Sequence, residues 1–255
     1  RYGFLCFYSL VWLASMNRLL TEFEPDAVIS YRTEGNYVSS LMTNLCEQKG
    51  AEYISYMHGD YLYSGERAFV RFSRMYLWDE GYRETFSWAR STDSKFYVYT
   101  PKVYREKFEN RESYPYFLSY YFSGNDSCAK AIAELLEPIV RRGLPCKVRP
   151  HPRFSDIATL KQVFGEKGIF VEDARKVDIV ESINETQYVA ALFSSVLTQA
   201  FYGGKKVIID DVSRPESFRE MAGMNCLILS KEHLLLSEFV SSEMTGDTVG
   251  LMSEK

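Results

Sequence analysis

Lys147-Val-Arg-Pro-His-Pro-Arg153, Leu192-Phe-Ser-Ser-Val-Leu197 and Gly203-Gly-Lys-Lys-Val-Ile-Ile-Asp210 belong to one stretch, Lys147 to Asp211, whose reading decides the fold. In each passage an apolar, strand-like run delivers polar or basic residues to its carboxyl end. In an open α/β sheet that edge is where ligands bind.

Working outward, the second half alternates strand and helix in order. Tyr116–Phe122 reads as a strand, Ala129–Arg142 as a helix, Cys146–Arg149 as a strand and Asp156–Phe164 as a helix. Gly168–Val171, Gln187–Phe193 and Lys206–Ile209 then read as strands, with helices over Val177–Ile183 and Ser195–Tyr202 between them. Beyond Pro215 the pattern gives a short helix to Ala222, a strand Cys226–Leu229, a helix from Lys231 to Val240 and a frayed polar tail from Ser241. The first half repeats the theme. A helix over Tyr2–Glu22 closes at Pro25, and the strand Asp26–Tyr31, the helix Asn36–Gln48 and the strand Glu52–Met57 form a βαβ unit. Phe72–Trp78 and Phe96–Tyr99 are further strands around a helix Tyr82–Ala89. The charge-rich segment Lys102–Ser113 reads as a solvated connection. The expected fold is therefore α/β: two Rossmann-like parallel-sheet halves, over residues 1–108 and 113–255, facing a cleft.

Composition narrows the function classes. The chain of 255 residues is 46% hydrophobic and 25% charged, which is ordinary for a globular protein. A formal net charge of −4 argues against broad nucleic-acid binding, which draws its affinity from a basic surface. Cys6, Cys46, Cys128, Cys146 and Cys226 are odd in number and set among apolar residues, which fits a reduced, cytoplasmic setting. With no C-x-x-C pair and with His58, His151 and His233 far apart, no metal site is expected. The 19 Tyr and 17 Phe are an excess, much of it before residue 125, so the first half is expected to bury aromatic faces or present them to a bulky acceptor. The chain starts at Arg1, so upstream sequence can be missing. Tyr2–Met16 is nearly all apolar but shorter than the ~20 residues of a membrane span. It reads first as a buried helix and second as a peripheral membrane contact at the inner face of the membrane.

Three elements carry candidate chemistry. In Arg149-Pro150-His151-Pro152-Arg153 the prolines fix φ just past a strand and hold a histidine between two guanidinium groups, suited to phosphate or ribose. Ser194-Ser195 lies between a buried strand and a helix, where one hydroxyl caps and the other faces an anion at the positive end of the helix dipole. Ser123 opens the polar turn before the Ala129 helix and joins this nucleotide-binding set. In the first half, His58 in His58-Gly59-Asp60 is the candidate base, with Asp60 to orient it and Gly59 to turn the backbone. Asp79-Glu80-Gly81 offers a second acid, read equally as the N-terminal charge of a helix.

His151-Pro152, Ser194-Ser195 and Asp79-Glu80-Gly81 together resemble the HP, S-S/T and D/E-D/E-G motifs of GT-B-fold bacterial sialyltransferases and polysialyltransferases. His58-Gly59 is similar to the His-Gly base motif of teichoic-acid glycerophosphotransferases, and the HP feature also occurs in CMP-Kdo transferases of capsule assembly. The resemblance runs through the chain in motif order, but each motif is two or three residues long. It implies a metal-independent inverting glycosyltransferase of surface polysaccharide synthesis, taking a nucleotide-sugar donor, CMP-activated, and a glycan acceptor, with no cofactor. In that reading 113–255 binds the donor through Arg149, His151, Pro152, Arg153, Ser194, Ser195 and Ser123. Residues 1–108 bear the acceptor and the base, with His58 and Asp60 ahead of Asp79 and Glu80. Helix-forming Tyr82 onward departs from the turn expected after a catalytic acidic motif. Rival readings are a CDP-alditol glycerophosphotransferase, a UDP-sugar transferase or epimerase using Glu216 or Glu220 for the ribose, and a non-catalytic two-lobed anion-binding protein.

Overall fold

A computed structural model of the protein describes residues 2–31, 38–59, 68–91, 95–122, 126–152, 156–223 and 233–245. The chain divides into two compact units, one built on Arg1–Pro101 and one on Lys102–Gly223 with the C-terminal segment.

The first unit contains α1 (Tyr2–Phe23), β1 (Ala27–Tyr31), α2 (Ser39–Gln48), β2 (Glu52–Tyr56), β3 (Arg74–Leu77), α3 (Gly81–Trp88) and β4 (Lys95–Val98). Its strands pair in parallel in the order β1-β2-β3-β4. Helix α2 buries Ser39, Met42, Thr43 and Cys46, one face at helical spacing, and chain reversal follows at Gly50, whose φ of +78° suits glycine. Tyr53, Ser55, Met75 and Leu77 are buried on one side of the sheet. Ile29, Tyr31 and Tyr97, of opposite strand parity, are exposed.

Helix α1 departs from the buried helix expected. Of its apolar residues only Leu20 falls in the buried class, whereas Phe4, Phe7 and Phe23 are 70%, 65% and 68% exposed. The physical reason is surplus: residues 2–17 carry no charge on any side, and α2, which packs along it, covers a single stripe. Gly3–Phe23 is long and apolar enough to cross a membrane by length and composition.

The second unit contains α4 (Lys102–Arg105), β5 (Tyr116–Phe122), α5 (Asp126–Arg141), β6 (Cys146–Pro150), α6 (Ile157–Gly165), β7 (Phe170–Val171), α7 (Ile179–Asn184), β8 (Thr186–Ala191), α8 (Ser195–Tyr202), β9 (Lys206–Ile209), α9 (Pro215–Gly223), β10 (Leu234–Leu235) and α10 (Leu236–Thr245). Its strands form a parallel sheet in the order β10-β9-β8-β5-β6-β7. A core of Leu118, Tyr120, Val148, Tyr188, Ala190 and Ile208 from the strands is closed by Ile132, Leu136, Leu160, Phe164 and Phe239 from the helices. The strands read as near-continuous apolar runs because both sheet faces are covered.

Two further expectations are corrected. Segment 102–113 is not a solvated connection: Phe108 is buried, its N–H donates to the Gly203 carbonyl at 2.9 Å, and Lys205 Nζ donates to the Glu109 carbonyl. The boundary therefore falls after Pro101 rather than across 108–113. At the C-terminus, Leu234–Leu235 pairs with β9 where a helix was expected, and α10 continues to Thr245 past the frayed tail expected from Ser241. Ser237 starts that helix by donating its N–H and Oγ to the Asp211 carboxylate, and Leu236, Phe239 and Val240 bury at helical spacing. The strand expected at Cys226–Leu229 lies outside the described residues.

Candidate functional site

The strand order of the second sheet reverses at β5. The chain lays β6 and β7 to one side of β5 and then returns to place β8, β9 and β10 on the other. The carboxyl ends of β5 and its two neighbours thus form the topological switch point, the ligand-binding position of open α/β sheets. His151 follows β6 and Ser194-Ser195 follows β8, so the two elements flank β5 at this edge, roughly 10 Å apart by strand spacing.

Each element is held by its backbone. The His151 N–H donates to the Phe122 carbonyl at 2.8 Å, extending the β5–β6 pairing by one rung, and Pro150 and Pro152 restrict the chain on both sides. His151 is half-buried and Pro152 exposed. Ser194 is the N-cap of α8: with extended φ and ψ of −161° and 141°, its Oγ accepts from the Val196 N–H at 3.2 Å. Ser195 is exposed on the first turn, where the helix dipole favours an anion.

The strand end of β9 adds residues that motif reading passed over. Asp210 is fully buried and gathers four donors: the Val212 and Ser213 N–H groups at 2.9 and 2.8 Å, Tyr120 Oη at 2.5 Å and Ser213 Oγ. Burial first, then the adjacent Asp210 charge, pushes the Tyr120 hydroxyl well above its ordinary range, so it stays a donor. This knot fixes the turn that leads to Arg214 and to Pro215, the first residue of α9. Arg214 and Ser213 line a shallow depression with Tyr120, Phe122, Cys128 and Leu192, beside the switch point. The signal in the sequence was the polar run Asp210 to Arg214 between a β-branched strand and a helix-starting proline.

Arg149 corrects an expectation. Its guanidinium donates to Glu172 Oε2 at 2.5 Å and to the Val177 carbonyl at 2.8 Å, and the residue is 8% exposed. Lys147, two residues earlier on the same strand face and fully buried, donates to Glu172 Oε1 at 2.5 Å and to Glu185 Oε2 at 3.0 Å. Ser182 Oγ donates to the same carboxylate at 2.7 Å. Burial pushes the Glu172 carboxyl up, but donors Lys147, Ser182 and Arg149 outweigh it and hold the group below its usual range. Arg149 is therefore part of a buried ion network rather than a ligand-facing cation.

In the first unit, His58 is exposed two residues past the end of β2. Asp79 Oδ1 accepts from the N–H of Gly81, the first residue of α3, at 2.8 Å, while Glu80 pairs with Arg83 at 2.7 Å. The Arg83 hydrogen bonds hold the Glu80 carboxyl below its usual range. Both carboxylates serve the start of α3, the role read for them beside the catalytic one. Asp60, Ser123 and Arg153 lie outside the described residues. Among the described residues no group of three or more His, Cys, Asp or Glu is placed to hold a metal ion.

No protein-family model and no curated protein sequence matches the chain. Solved structures do match its fold. The MurG structure from Acinetobacter baumannii aligns over 97% of this chain and 70% of its own, with a TM-score of 0.56 at 13% identity. The GtfA/B complex aligns over 93% of this chain and 53% of its own, with a TM-score of 0.53 at 9% identity. The Methanocaldococcus jannaschii UDP-GlcNAc 2-epimerase aligns over 95% and 73%, with a TM-score of 0.51 at 14% identity. The fold is thus GT-B-like: α/β with two Rossmann-like parallel-sheet halves.

Proposed function

We propose that this chain is a glycosyltransferase that takes its sugar from a nucleotide-activated donor. The observation that carries the reading is the convergence of His151-Pro152 and the Ser194-capped start of α8 on either side of β5, at the strand-order reversal of the second sheet. Donor phosphate would bind the first turn of α8 through Ser195 and the backbone, with His151 on phosphate or ribose. Charge appearing on the leaving phosphate is met by donors already in place. In the transfer, the acceptor oxygen forms a bond to the anomeric carbon from the face opposite the nucleotide. The bond from that carbon to phosphate oxygen breaks, the electron pair leaves with the nucleotide, and the acceptor proton passes to His58.

Two donor classes have support of different kinds. The M. jannaschii epimerase of similar fold was solved with UDP-GlcNAc and UDP, which favours a uridine nucleotide. The paired HP and S-S motifs favour a CMP-activated sugar, sialic acid or similar. Calorimetric titration with UDP, UMP, CDP and CMP separates them. The tighter class is expected to lose about tenfold or more in affinity on His151→Ala or on joint Ser194→Ala and Ser195→Ala replacement, the loss of hydrogen bonds to a charged group. His58→Ala is expected to abolish transfer with nucleotide affinity unchanged. Absence of binding by all four nucleotides at millimolar concentration sinks the proposal. Conversion of UDP-GlcNAc without an acceptor would assign the epimerase reading instead, with Glu216, exposed on the first turn of α9, as its ribose contact.

A further inference from the structure

The first sheet carries a row of tyrosines that the site described above does not use. Register places Tyr31 of β1 opposite Tyr56 of β2, Tyr56 opposite Tyr76 of β3, and Tyr76 opposite Tyr97 of β4. In parallel pairing, register partners share a face, so all four stand on one side of the sheet. Tyr31 and Tyr56 are the last residues of their strands, and Tyr76 and Tyr97 the last but one. The row therefore follows the carboxyl edge, the edge that binds ligands in such sheets.

Its geometry is regular. The rings of Tyr56 and Tyr76 stack 4.4 Å apart at 6°, those of Tyr76 and Tyr97 5.5 Å apart at 27°, and Tyr99 meets Tyr56 edge-on at 6.4 Å. Arg74 is anchored by the Glu52 carboxylate of the neighbouring strand. The outer members are open: Tyr31 is 70%, Tyr97 45% and Tyr99 49% exposed.

Rings stacked face to face turn their faces toward one another and their edges and hydroxyls outward. The inner rings thus repeat in steps of 4.4 and 5.5 Å between centroids, while the end residues, Tyr31 and Tyr97, are exposed. A phosphate or an acidic chain would need free cations along the row; of the described cations on this face, Arg74 is held by Glu52, and Lys95, its register partner, lies two residues back from Tyr97, away from the carboxyl edge. A peptide adding to the sheet would use an unpaired strand edge rather than a line of side chains across four strands. Apolar C–H faces rimmed by hydroxyls match both parts of the row, and that is the surface of a neutral sugar.

We infer that Tyr31, Tyr56, Tyr76 and Tyr97 form a saccharide-binding strip that takes neutral sugar residues across the sheet. That this saccharide is the acceptor glycan rests on the glycosyl transfer proposed above; binding of sugar to the strip does not. Titration of the chain with maltohexaose, cellohexaose and chitohexaose tests it. At least one is expected to bind, about three- to tenfold more weakly to Tyr97→Ala, which removes an exposed ring, and more weakly to Tyr76→Phe, which keeps the ring and removes the hydroxyl. Melting temperature and nucleotide affinity are expected to stay unchanged in Tyr97→Ala, since the residue is surface-exposed. No binding of any hexasaccharide at millimolar concentration, or equal binding to both variants, overturns the inference. So does resistance of Tyr31 and Tyr97 to nitration by tetranitromethane in the native protein, which would mean that protein covers the strip. Loss of nucleotide binding alone would sink the transferase reading and leave the strip standing.

Discussion

Arg149 and His151 stand two residues apart and meet opposite fates. Arg149 is inside the strand, so its side chain follows Lys147 into the layer occupied by Glu172, where three charged groups are each within 10% exposure. His151 is past the last strand residue, and only its backbone is tied down by β5. Taking two cations out of water is costly, and a shared carboxylate compensates only while it is present and ionised. Glu172→Ala is accordingly expected to destabilise the protein by about 3–5 kcal/mol in urea unfolding, through two buried cations left with the half-exposed Glu185. The pH dependence has a definite sign. The folded Glu172 carboxyl titrates below its ordinary value of 4.5, so its contribution is complete above that pH and is lost as pH falls through the lower, folded value. A Glu172→Gln protein is expected to lack that part of the acid dependence, measured as the slope of stability between neutral pH and acid. The sequence placed Arg149 inside the strand Cys146–Arg149 and His151 past it, but the carboxylate that takes the Arg149 side chain, Glu172, comes 23 residues later, and only pairing across the sheet brings the two together.

At the scale of elements, the segment 102–113 shows how composition misleads. Its charges are real and mostly exposed, yet Phe108 is buried against the end of α8, and Lys107 Nζ donates to the Tyr202 carbonyl beside it at 2.9 Å. The seat exists because Gly203 has no side chain: a Cβ there would lie 2.1 Å from Phe108 Cδ2. Lys205 completes the clamp with hydrogen bonds to the Thr186 and Glu109 carbonyls and stands 4.3 Å from the Tyr114 ring centroid. Gly203→Ala is expected to cost about 1–3 kcal/mol by forcing Phe108 aside, read as a lowered urea midpoint. Gly165→Ala, at the end of α6 where a Cβ meets nothing within 4 Å, serves as the control and is expected to be neutral or slightly stabilising. In the same way α8 was legible to its last residue, from Ser194 as cap to Gly203-Gly204 as stop, because helix punctuation is local.

For the molecule as a whole, the unexplained surface is α1. A 22-residue helix with Phe4, Phe7, Leu10 and Val11 open to solvent exposes more apolar surface than scattered residues would. The charges that follow, Arg18, Glu22 and Glu24, stand at its other end. The second reading of Tyr2–Met16, a contact at a membrane surface, takes up this end of α1. Burying two phenylalanines contributes about 1.5–3 kcal/mol each. Joint Phe4→Ser and Phe7→Ser replacement is therefore expected to reduce co-sedimentation with phosphatidylglycerol vesicles by tenfold or more, with no change in melting temperature. Equal pelleting of the two proteins, or none by either, rejects the contact.

The parallel α/β class, the order of elements from β5 to β9 and the position of His151 and Ser194-Ser195 past the ends of their strands were determined by the sequence, because periodicity, caps and turn residues act over a few positions. Tertiary structure alone decided what depends on pairing between distant strands. It put β8 beside β5, which sets the His-Pro and Ser-Ser turns on either side of β5. It turned Arg149 inward to Glu172, left α1 uncovered, and lined up Tyr31, Tyr56, Tyr76 and Tyr97 from four separate strands into one row. Register follows from the hydrophobic pattern within each strand, but which strand lies beside which is decided by pairing between segments far apart in sequence.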